Sequence, residues 1–267
     1  EIETLGSSMN VLSDRLNRAI GDLRLANEQL QKDIDEKVKI DEMRKEFIAD
    51  VSHELKTPIA LIQGYAEGLA EGMAEDPENR DYYCSVIVDE SNRMNTMVRQ
   101  LLSLSALEFG EEPGEMTEFS LPELIRGVIA KSGIMLREKD LSVEFECDED
   151  ITVYADEFRI EEVVTNYLNN AVNHAAGDRR IAISIGESED PEAVRVTVYN
   201  SGDHIPEEDL EKLWRKFYKV DKARTRAYGG SGIGLSIVKA VMDSHHRKYG
   251  AGNCEGGVEF WFDVEKR

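Results

Sequence analysis

The sequence predicts a long helical hairpin followed by an α/β domain, and three observations support this division. Apolar residues recur at helical spacing through roughly the first 110 positions, and short strand-like runs alternating with helices follow. A segment with a proline, two glycines and several acidic residues, from Gly110 to Met116, separates the two patterns. A hairpin with one continuous apolar face cannot bury that face alone, so we expect two copies to pair in a four-helix bundle.

The first thirty residues carry an apolar seam. Its members alternate at spacings of four and three residues, which is typical of a coiled coil: Leu5, Met9, Leu12, Leu16, Ala19, Leu23, Ala26 and Leu30. The register fails at Asp33 and Lys37, and such a break locally rewinds a coiled coil. Residues Glu1–Asn10 resemble the second helix of a HAMP linker, with a plain dimerising coiled coil as the alternative. We therefore expect a HAMP-like end over 1–20 and a coiled-coil signalling helix over 21–42.

His53 lies on a helix that we expect to reach about Ala70. The apolar residues around it share one helical face: Phe47, Ile48, Val51, Leu55, Ile59 and Ile62. His53 is two positions from both Val51 and Leu55, so it points away from that face toward water. Taken alone, an exposed histidine indicates only a solvated surface residue.

The residues after His53 make that histidine more informative. Glu54 follows it directly, Thr57 lies one turn on, and Pro58 removes a backbone N–H and should bend the helix. The run from Phe47 to Ala60 resembles the phospho-accepting H box of sensor histidine kinases over its whole length. That resemblance implies that His53 is the phosphorylated residue, with Glu54 as proton acceptor and Thr57 orienting a water for phosphatase activity. For Thr57, a structural cap at the bend is the alternative.

A second helix completes the predicted hairpin. Residues 71–79, with Gly72 and Pro77, read as the turn, and the helix ends near Gly110. Its apolar positions are Tyr83, Val86, Ile87, Met94, Met97, Val98, Leu101 and Leu104. We expect a dimerisation and phosphotransfer domain over 43–110, a hinge over 111–116 and a catalytic domain over 117–267.

The second domain is predicted to be an α/β sandwich with one mixed sheet covered by helices. A helix should begin after Ser120, with Pro122 in its first turn and Glu123 completing a capping box. Strands are predicted at Leu141–Glu146, Ile151–Tyr154, Ile181–Ile185, Val194–Tyr199 and Val258–Val264. Further helices are predicted at about 155–175, 207–217 and 232–246.

The helix over 155–175 carries four asparagines and a histidine between positions 166 and 174. Asn166 and Asn170 share a helical face, and amide oxygens suit Mg²⁺, which prefers hard oxygen ligands. An amide-rich helix surface is the alternative. The segment resembles the N box of histidine kinases, which implies Asn170 as the main Mg²⁺ ligand with Asn166 in support. Asn173 stands where that family often has lysine, and His174 would flank the adenine, so the phosphate-side charge must come from elsewhere.

The run Asn200-Ser-Gly202-Asp-His204-Ile205 resembles the family's Asp-x-Gly-x-Gly box, with two departures. Asn200 replaces the aspartate that accepts a hydrogen bond from the adenine amino group, and an amide oxygen can still accept that bond. Gly202 keeps a close approach of backbone to base, and Ile205, which follows the box, is also expected to contact the nucleotide. His204 stands at a glycine position.

Two further segments resemble phosphate-binding parts of the same family. Residues 211–221 resemble its F box, in which Phe217 and Tyr218 line the nucleotide and Lys219 is a basic residue near the γ-phosphate. A solvated helix end is the alternative, and the following segment to Gly230 resembles the family's lid. A glycine run then precedes a helix, where backbone amides converge on phosphates: Gly230, Ser231, Gly232, Ile233, Gly234 and Leu235. Gly256 and Gly257 resemble the closing glycine turn.

The motifs together identify the chain as similar to sensor histidine kinases, in the style of the vancomycin-resistance sensor group. The resemblance implies an ATP-binding domain of the GHKL type, ATP and Mg²⁺ as cofactors, a homodimer, and transfer of the phosphoryl group to a response regulator receiver domain. A non-catalytic dimeric scaffold and an ATPase doing conformational work are the competing hypotheses.

Composition narrows the partners and the compartment. The formal net charge of −22 would repel nucleic acid and anionic membrane surfaces, so neither is expected as a direct ligand. Three cysteines without metal-ligand spacing suit a reducing cytoplasm. The chain begins with Glu and shows no membrane span, so we expect a cytoplasmic fragment whose missing N-terminal part holds the anchor in the cell membrane.

Overall fold

The computed structural model describes residues 2–72, 76–109, 114–147, 149–220 and 231–267. Its contacts divide the chain into two compact units, Glu1–Ala60 and Leu61–Arg267. The first unit is helical throughout its described part, and the second contains the end of the first helix and everything after it. None of the described helices has an apolar stretch suited to crossing a bilayer.

Helix α1 spans Ile2–Ala70 and continues through Pro58, so the predicted end near Ala70 is confirmed. The predicted apolar face around His53 lies on this helix and is only partly covered in the single chain. Val51 and Leu55 are half-buried, whereas Ile48 and Ile59 are 55% and 49% exposed in the single chain. The coiled-coil positions Leu16, Leu23 and Leu30 are also exposed.

Helix α2 spans Pro77–Phe109, and its first turns pack against the last turns of α1. The rings of Tyr65 and Tyr83 meet edge to face with centroids 5.0 Å apart, and Tyr82 adds a second edge contact to Tyr65 at 6.2 Å. A Cβ at Gly68 would lie 2.9 Å from the Tyr83 ring, so the close approach of the two helices requires glycine there. The predicted hairpin is therefore confirmed.

The remaining elements form the α/β part of the second unit. Its strands are β1 (Met116–Ser120), β2 (Ser142–Phe145), β3 (Thr152–Asp156), β4 (Arg180–Glu187), β5 (Ala193–Ser201), β6 (Tyr249–Cys254) and β7 (Gly257–Glu265). Its helices are α3 (Leu121–Lys131), α4 (Gly133–Glu138), α5 (Glu157–His174), α6 (Glu207–Leu210) and α7 (Gly234–Ser244), with a 3₁₀ turn at Lys212–Trp214.

The five strands β2-β4-β5-β7-β6 form one sheet in that order, with β2 parallel to β4 and the other pairs antiparallel. Strands β1 and β3 pair antiparallel in a separate two-stranded sheet, so the single sheet predicted from the sequence is wrong in this respect. Alternate residues of β5 and β7 are buried together with the apolar faces of α5 and α7. Within this core, α5 and α7 pack against each other.

Two local predictions need correction, and two strands were missed. Ser120 does not cap α3 with its side chain; its hydroxyl donates instead to Asp150 Oδ1 at 3.1 Å. The helix predicted over 207–217 is broken into α6 and the 3₁₀ turn, and Phe217 follows with a left-handed φ of 60°. Strands β1 and β6 were not predicted, because β1 falls at the hinge boundary and β6 contains two glycines with low strand propensity.

Candidate functional site

His53 lies on the exposed side of α1. Its side chain and that of Thr57, one turn later, are both exposed, whereas Glu54 is half-buried. The predicted orientation of His53 toward solvent is thus confirmed within the first unit. Pro58 is buried on the opposite side of the helix, which fits its place beside the Val51 and Leu55 stripe.

The start of α5 is fixed by hydrogen bonds at both sides of Asp156. The carboxylate of Asp156 accepts the Arg159 N–H at 3.1 Å and caps the helix. The backbone N–H of Asp156 donates to Nε2 of His245 at 3.2 Å, while Nδ1 of His245 lies 2.8 Å from the Val241 carbonyl. Both ring nitrogens of His245 are therefore engaged, which fits a structural role.

Asn166 faces the beginning of α7. Its amide nitrogen donates to the Glu162 carbonyl at 2.8 Å, which leaves the Oδ1 oxygen pointing away from its own helix. A Cβ at Gly234 would lie 2.7 Å from that oxygen, so the helices approach closely only because residue 234 is glycine. The structure therefore brings the N-box segment and the glycine-rich segment together.

Asn170 and Asn173 continue the stripe begun by Asn166, at helical spacings of four and three residues, and both are half-buried. The oxygen of Asn173 accepts a hydrogen bond from the Lys139 ammonium at 2.8 Å. Partial burial lowers the pKa of Lys139. Lys139 gave no sequence signal, since it lies 34 positions from Asn173 along the chain.

The stretch around Asn200 packs against the last turn of α5. A Cβ at Gly202 would lie 2.9 Å from the His174 carbonyl oxygen, and Gly202 has a φ of +147°, so two independent constraints require glycine. Asn200 is buried, and its amide nitrogen donates to the Ser201 carbonyl at 3.3 Å. That bond uses the amide nitrogen, and the amide oxygen is the atom of this side chain that can accept a hydrogen bond.

A clamp at Asn253 holds the Ile205 backbone. The Ile205 N–H donates to Asn253 Oδ1 at 2.8 Å, and Asn253 Nδ2 donates to the Ile205 carbonyl at 2.7 Å. Nε2 of His204 lies 2.9 Å from the Cys254 carbonyl. His204 therefore ties its loop to the end of β6, a contact that a glycine could not make. Asn253 gave no sequence signal because β6 itself was not predicted.

Phe217 and Gly232 lie against each other, just before the N-terminus of α7. The Phe217 N–H donates to the Gly232 carbonyl at 2.8 Å, and a Cβ at Gly232 would lie 2.9 Å from the Phe217 backbone. The Tyr218 hydroxyl donates to Asp209 at 2.6 Å, and this hydrogen bond raises the pKa of Tyr218. Lys219 is half-buried.

The glycine-rich segment is described from Ser231 onward, and the predicted site residue Gly230 lies outside the described residues. Ile233 is fully buried, so only its backbone can reach a ligand. Leu235 is half-buried in the first turn of α7. The first N–H groups of α7 have no intrahelical acceptor, and together with the helix dipole they favour an anion such as a phosphate.

The donor set fits a nucleotide phosphate better than an all-protein metal cage. No group of three or more His, Cys, Asp or Glu side chains suited to a metal ion occurs among the described parts of the chain. Mg²⁺ held through one or two protein oxygens usually completes its shell with phosphate and water. The oxygen of Asn166, beside the N-terminus of α7, matches that requirement, and Asn170 follows one turn later on the same helical face.

Family comparisons agree with this geometry. Residues 43–110 match the model of the His Kinase A (phospho-acceptor) domain, and residues 155–267 match that of the histidine kinase-, DNA gyrase B- and HSP90-like ATPases. The second match implies ATP use without distinguishing a kinase from an ATPase. The first match distinguishes them, because it covers His53.

Individual relatives support the same assignment. The chain is 34% identical over 227 residues to the sensor histidine kinase WalK of Bacillus subtilis (strain 168), covering 84% of this chain and 37% of that protein. It is 33% identical over 219 residues to the sensor protein SrrB of Staphylococcus aureus (strain MRSA252), covering 80% and 36%. The chain thus spans little more than a third of these relatives. The vancomycin-sensor subgroup stays a prediction.

A solved structure extends the likeness to the three-dimensional fold. The histidine kinase ThkA, crystallised in complex with the response regulator protein TrrA, matches with a TM-score of 0.68 and 35% identity, over 83% of this chain and 61% of that one. The phospho-acceptor domain model, WalK and this structure are each described as a histidine kinase or a domain of one. The chain belongs to the sensor histidine kinases, with a phospho-acceptor domain followed by an ATP-binding domain.

Proposed function

We propose that this chain phosphorylates its own His53 from Mg-ATP and passes the phosphoryl group to an aspartate of a response regulator. The observation that carries the proposal is the exposure of His53 in a chain whose N-box residue Asn166 also lies against Gly234, at the N-terminus of α7. Helix α1 offers a nucleophile to solvent, and the α/β part offers oxygen ligands and backbone N–H groups to a nucleotide.

The chemistry assigned to the helix is nucleophilic. One ring nitrogen of neutral His53 attacks the γ-phosphorus, the bond to the β–γ bridging oxygen breaks, and ADP leaves. Glu54 accepts the proton from the other ring nitrogen as positive charge develops on the imidazole. Since phosphoryl transfer depends mainly on positioning and charge neutralisation, the remaining residues act on the nucleotide.

The proposed nucleotide contacts follow the structure from base to phosphate. Asn200 accepts a hydrogen bond from the adenine amino group, and Gly202 and His174 form the edge of the base site. Asn170 and Asn166 supply oxygens to Mg²⁺, which would neutralise charge on the phosphates when bound. The N-terminus of α7 donates backbone N–H groups, and Lys219 is assigned to the γ-phosphate side.

The proposed assembly is a homodimer. The seam residues Leu16, Leu23 and Leu30 are 60%, 73% and 59% exposed in the single chain, and a second copy would cover them. We assign 1–20 to a HAMP-like linker, 21–42 to a coiled-coil signalling helix and 111–116 to a hinge. The partner is a response regulator receiver domain, and Thr57 adds phosphatase activity toward it. The full-length protein is placed at the cell membrane through a part outside this chain.

Incubation with γ-labelled ATP and Mg²⁺ tests the proposal against its alternatives. A kinase yields label on the protein, a scaffold neither binds nor hydrolyses the nucleotide, and an ATPase releases free phosphate. We expect labelled protein whose phosphoryl bond is acid-labile and base-stable. Release of free phosphate without labelled protein would instead assign the chain to conformational work.

A further inference from the structure

The C-terminal half of α2 docks on the nucleotide-binding domain within the second unit. Met97, Leu101 and Leu104 of α2 are buried, and Leu104 has no exposed surface. Helix α2 contacts α7 along this stretch. Half-buried Gln100 lies in the same turns of α2 as these apolar residues. Its amide therefore lies at the edge of the apolar contact between α2 and the nucleotide-binding domain.

Gln100 bonds directly to the glycine-rich segment. The hydroxyl of Ser231 donates its proton to Gln100 Oε1 at 2.7 Å. The same hydroxyl accepts the backbone N–H of Ile233 at 3.2 Å. Because a hydroxyl has one proton, the bond to Gln100 turns the Ser231 lone pairs toward Ile233. Gln100 therefore holds the Ser231 hydroxyl in the orientation in which it accepts the Ile233 N–H.

A second bridge ties α2 to the asparagine helix one turn later. Ser103 Oγ donates to Glu162 Oε1 at 2.5 Å, and the Arg159 guanidinium bonds to both Ser103 and Glu162, at 3.3 and 3.1 Å. The Glu162 carbonyl in turn accepts the amide of Asn166. Both sides of the nucleotide site, α5 and the approach to α7, are thus bonded to neighbouring positions of α2.

We propose that Gln100 is a positioning residue that opposes nucleotide binding by holding Ser231 over the Ile233 N–H. A phosphate at the N-terminus of α7 needs the N–H groups that converge there, and Ile233 N–H is the donor adjacent to the first helical residue, Gly234. The phosphate must displace the Ser231 hydroxyl, which then leaves Gln100. The Gln100–Ser231 bond and phosphate binding therefore oppose each other, and by linkage each weakens the other by the same factor.

The test is the affinity of this chain for Mg-ATP after Gln100→Met, which keeps length and helix propensity but removes the acceptor oxygen. Loss of one hydrogen bond that favours the docked state should tighten Mg-ATP binding about three- to tenfold. Adenosine, which lacks phosphates, should bind as it does to the unchanged chain. The two affinities are measured by titration calorimetry and by ligand-detected NMR. Gln63→Met is the matched control, since Gln63 makes one exposed helical bond, to Glu67.

A double-mutant cycle separates this role from a general structural effect. With Ser231→Ala in place, Gln100→Met should add no further change, because the bond between the two side chains is already gone. Additive effects, unchanged ATP affinity, or equal shifts for ATP and adenosine would each overturn the proposal. The inference rests on the proposed nucleotide site. If the unchanged chain binds no ATP, that proposed function fails first, and this result is distinct from an unaffected Gln100→Met.

Discussion

The ammonium group of Lys139 lies 2.8 Å from the amide oxygen of Asn173, although the two residues come from different helix ends. Asn173 belongs to the last turn of α5, on the stripe that also carries Asn166 and Asn170. Lys139 caps the C-terminus of α4. Asn173 stands where the N box of related kinases often has a lysine. The contact with Lys139 therefore supplies a positive charge at that position, at the edge of the proposed phosphate site.

Replacing Lys139 with Met should weaken Mg-ATP binding about three- to tenfold, the effect of losing one partly screened charge near a phosphate. Fluorescent ATP-analogue titration measures it. Lys131→Met is the control, because Lys131 pairs with Glu161 on the same part of the domain. Asn173→Lys in the Lys139→Met background should restore affinity. Failure of Lys139→Met to change binding would remove Lys139 from the nucleotide site.

Asn200 should read the adenine through its amide oxygen. Asn200→Ala removes that acceptor and should weaken ATP binding about fivefold or more, from one net hydrogen bond of about 1 kcal/mol. Asn200→Asp should bind ATP as well as or better than the unchanged chain, because a carboxylate is the stronger acceptor. ATP binding of Asn200→Ala that equals the unchanged chain would mean that another residue reads the base.

The same aspartate substitution should lower stability. The substitution removes the hydrogen bond from Asn200 Nδ2 to the Ser201 carbonyl. In the absence of nucleotide, the new carboxylate faces that carbonyl oxygen in a buried position. We expect the free energy of unfolding to fall by about 1–3 kcal/mol, the cost of an unsatisfied buried polar group. Denaturant titration without nucleotide measures this change, and saturating ATP should recover part of it.

Gly202→Ala should damage both the fold and the site. The added methyl group would lie 2.9 Å from the His174 carbonyl oxygen, at a φ of +147° that side chains rarely adopt. A loss of about 1–3 kcal/mol in unfolding free energy is expected, together with weaker ATP binding. Gly186→Ala on β4 is the control, since no atom lies within 4 Å of its added Cβ. Equal stability of the two variants would show that the turn at Gly202 relaxes without cost.

Thr57→Ala should separate two activities of α1. Thr57 lies four residues after His53 and both side chains are exposed, so its hydroxyl can orient a water on the same face. His53 labelling should stay near normal, while dephosphorylation of the regulator slows by about an order of magnitude, as expected for one lost positioning contact. Both rates are followed with purified regulator. Equal loss of the two activities would instead assign Thr57 a structural role beside Pro58.

Periodicity predicted the elements whose own residues carry the signal. The hairpin and the strands β4, β5 and β7 have alternating or helical apolar patterns, and their locations are confirmed. Strand β6 has no such pattern. It exists because it pairs with β7, and Gly250 leaves room for Trp261, whose ring would lie 2.5 Å from an added Cβ. Such tertiary pairing cannot be read from six residues.

In the candidate site, too, local sequence identified residues within one segment but not contacts between distant segments. Motif residues on one segment, such as Asn166 and Asn170, were identified because their spacing is local. The partners that hold these segments were not identified, since Gln100 lies 131 positions from Ser231 and Asn253 lies 48 positions from Ile205. Ser120 gave a false signal, because its capping motif is complete in sequence while Asp150 takes its hydroxyl in the fold.

The central claim is that His53 accepts the phosphoryl group, and the direct measurement is incorporation from γ-labelled ATP into the unchanged chain and into His53→Gln. His246→Asn serves as the control, because His246 is exposed with a φ of 54°, which asparagine tolerates. We expect acid-labile label on the unchanged chain and on the control, and none on His53→Gln despite normal ATP binding and dimer formation. Strong labelling of His53→Gln would contradict the account.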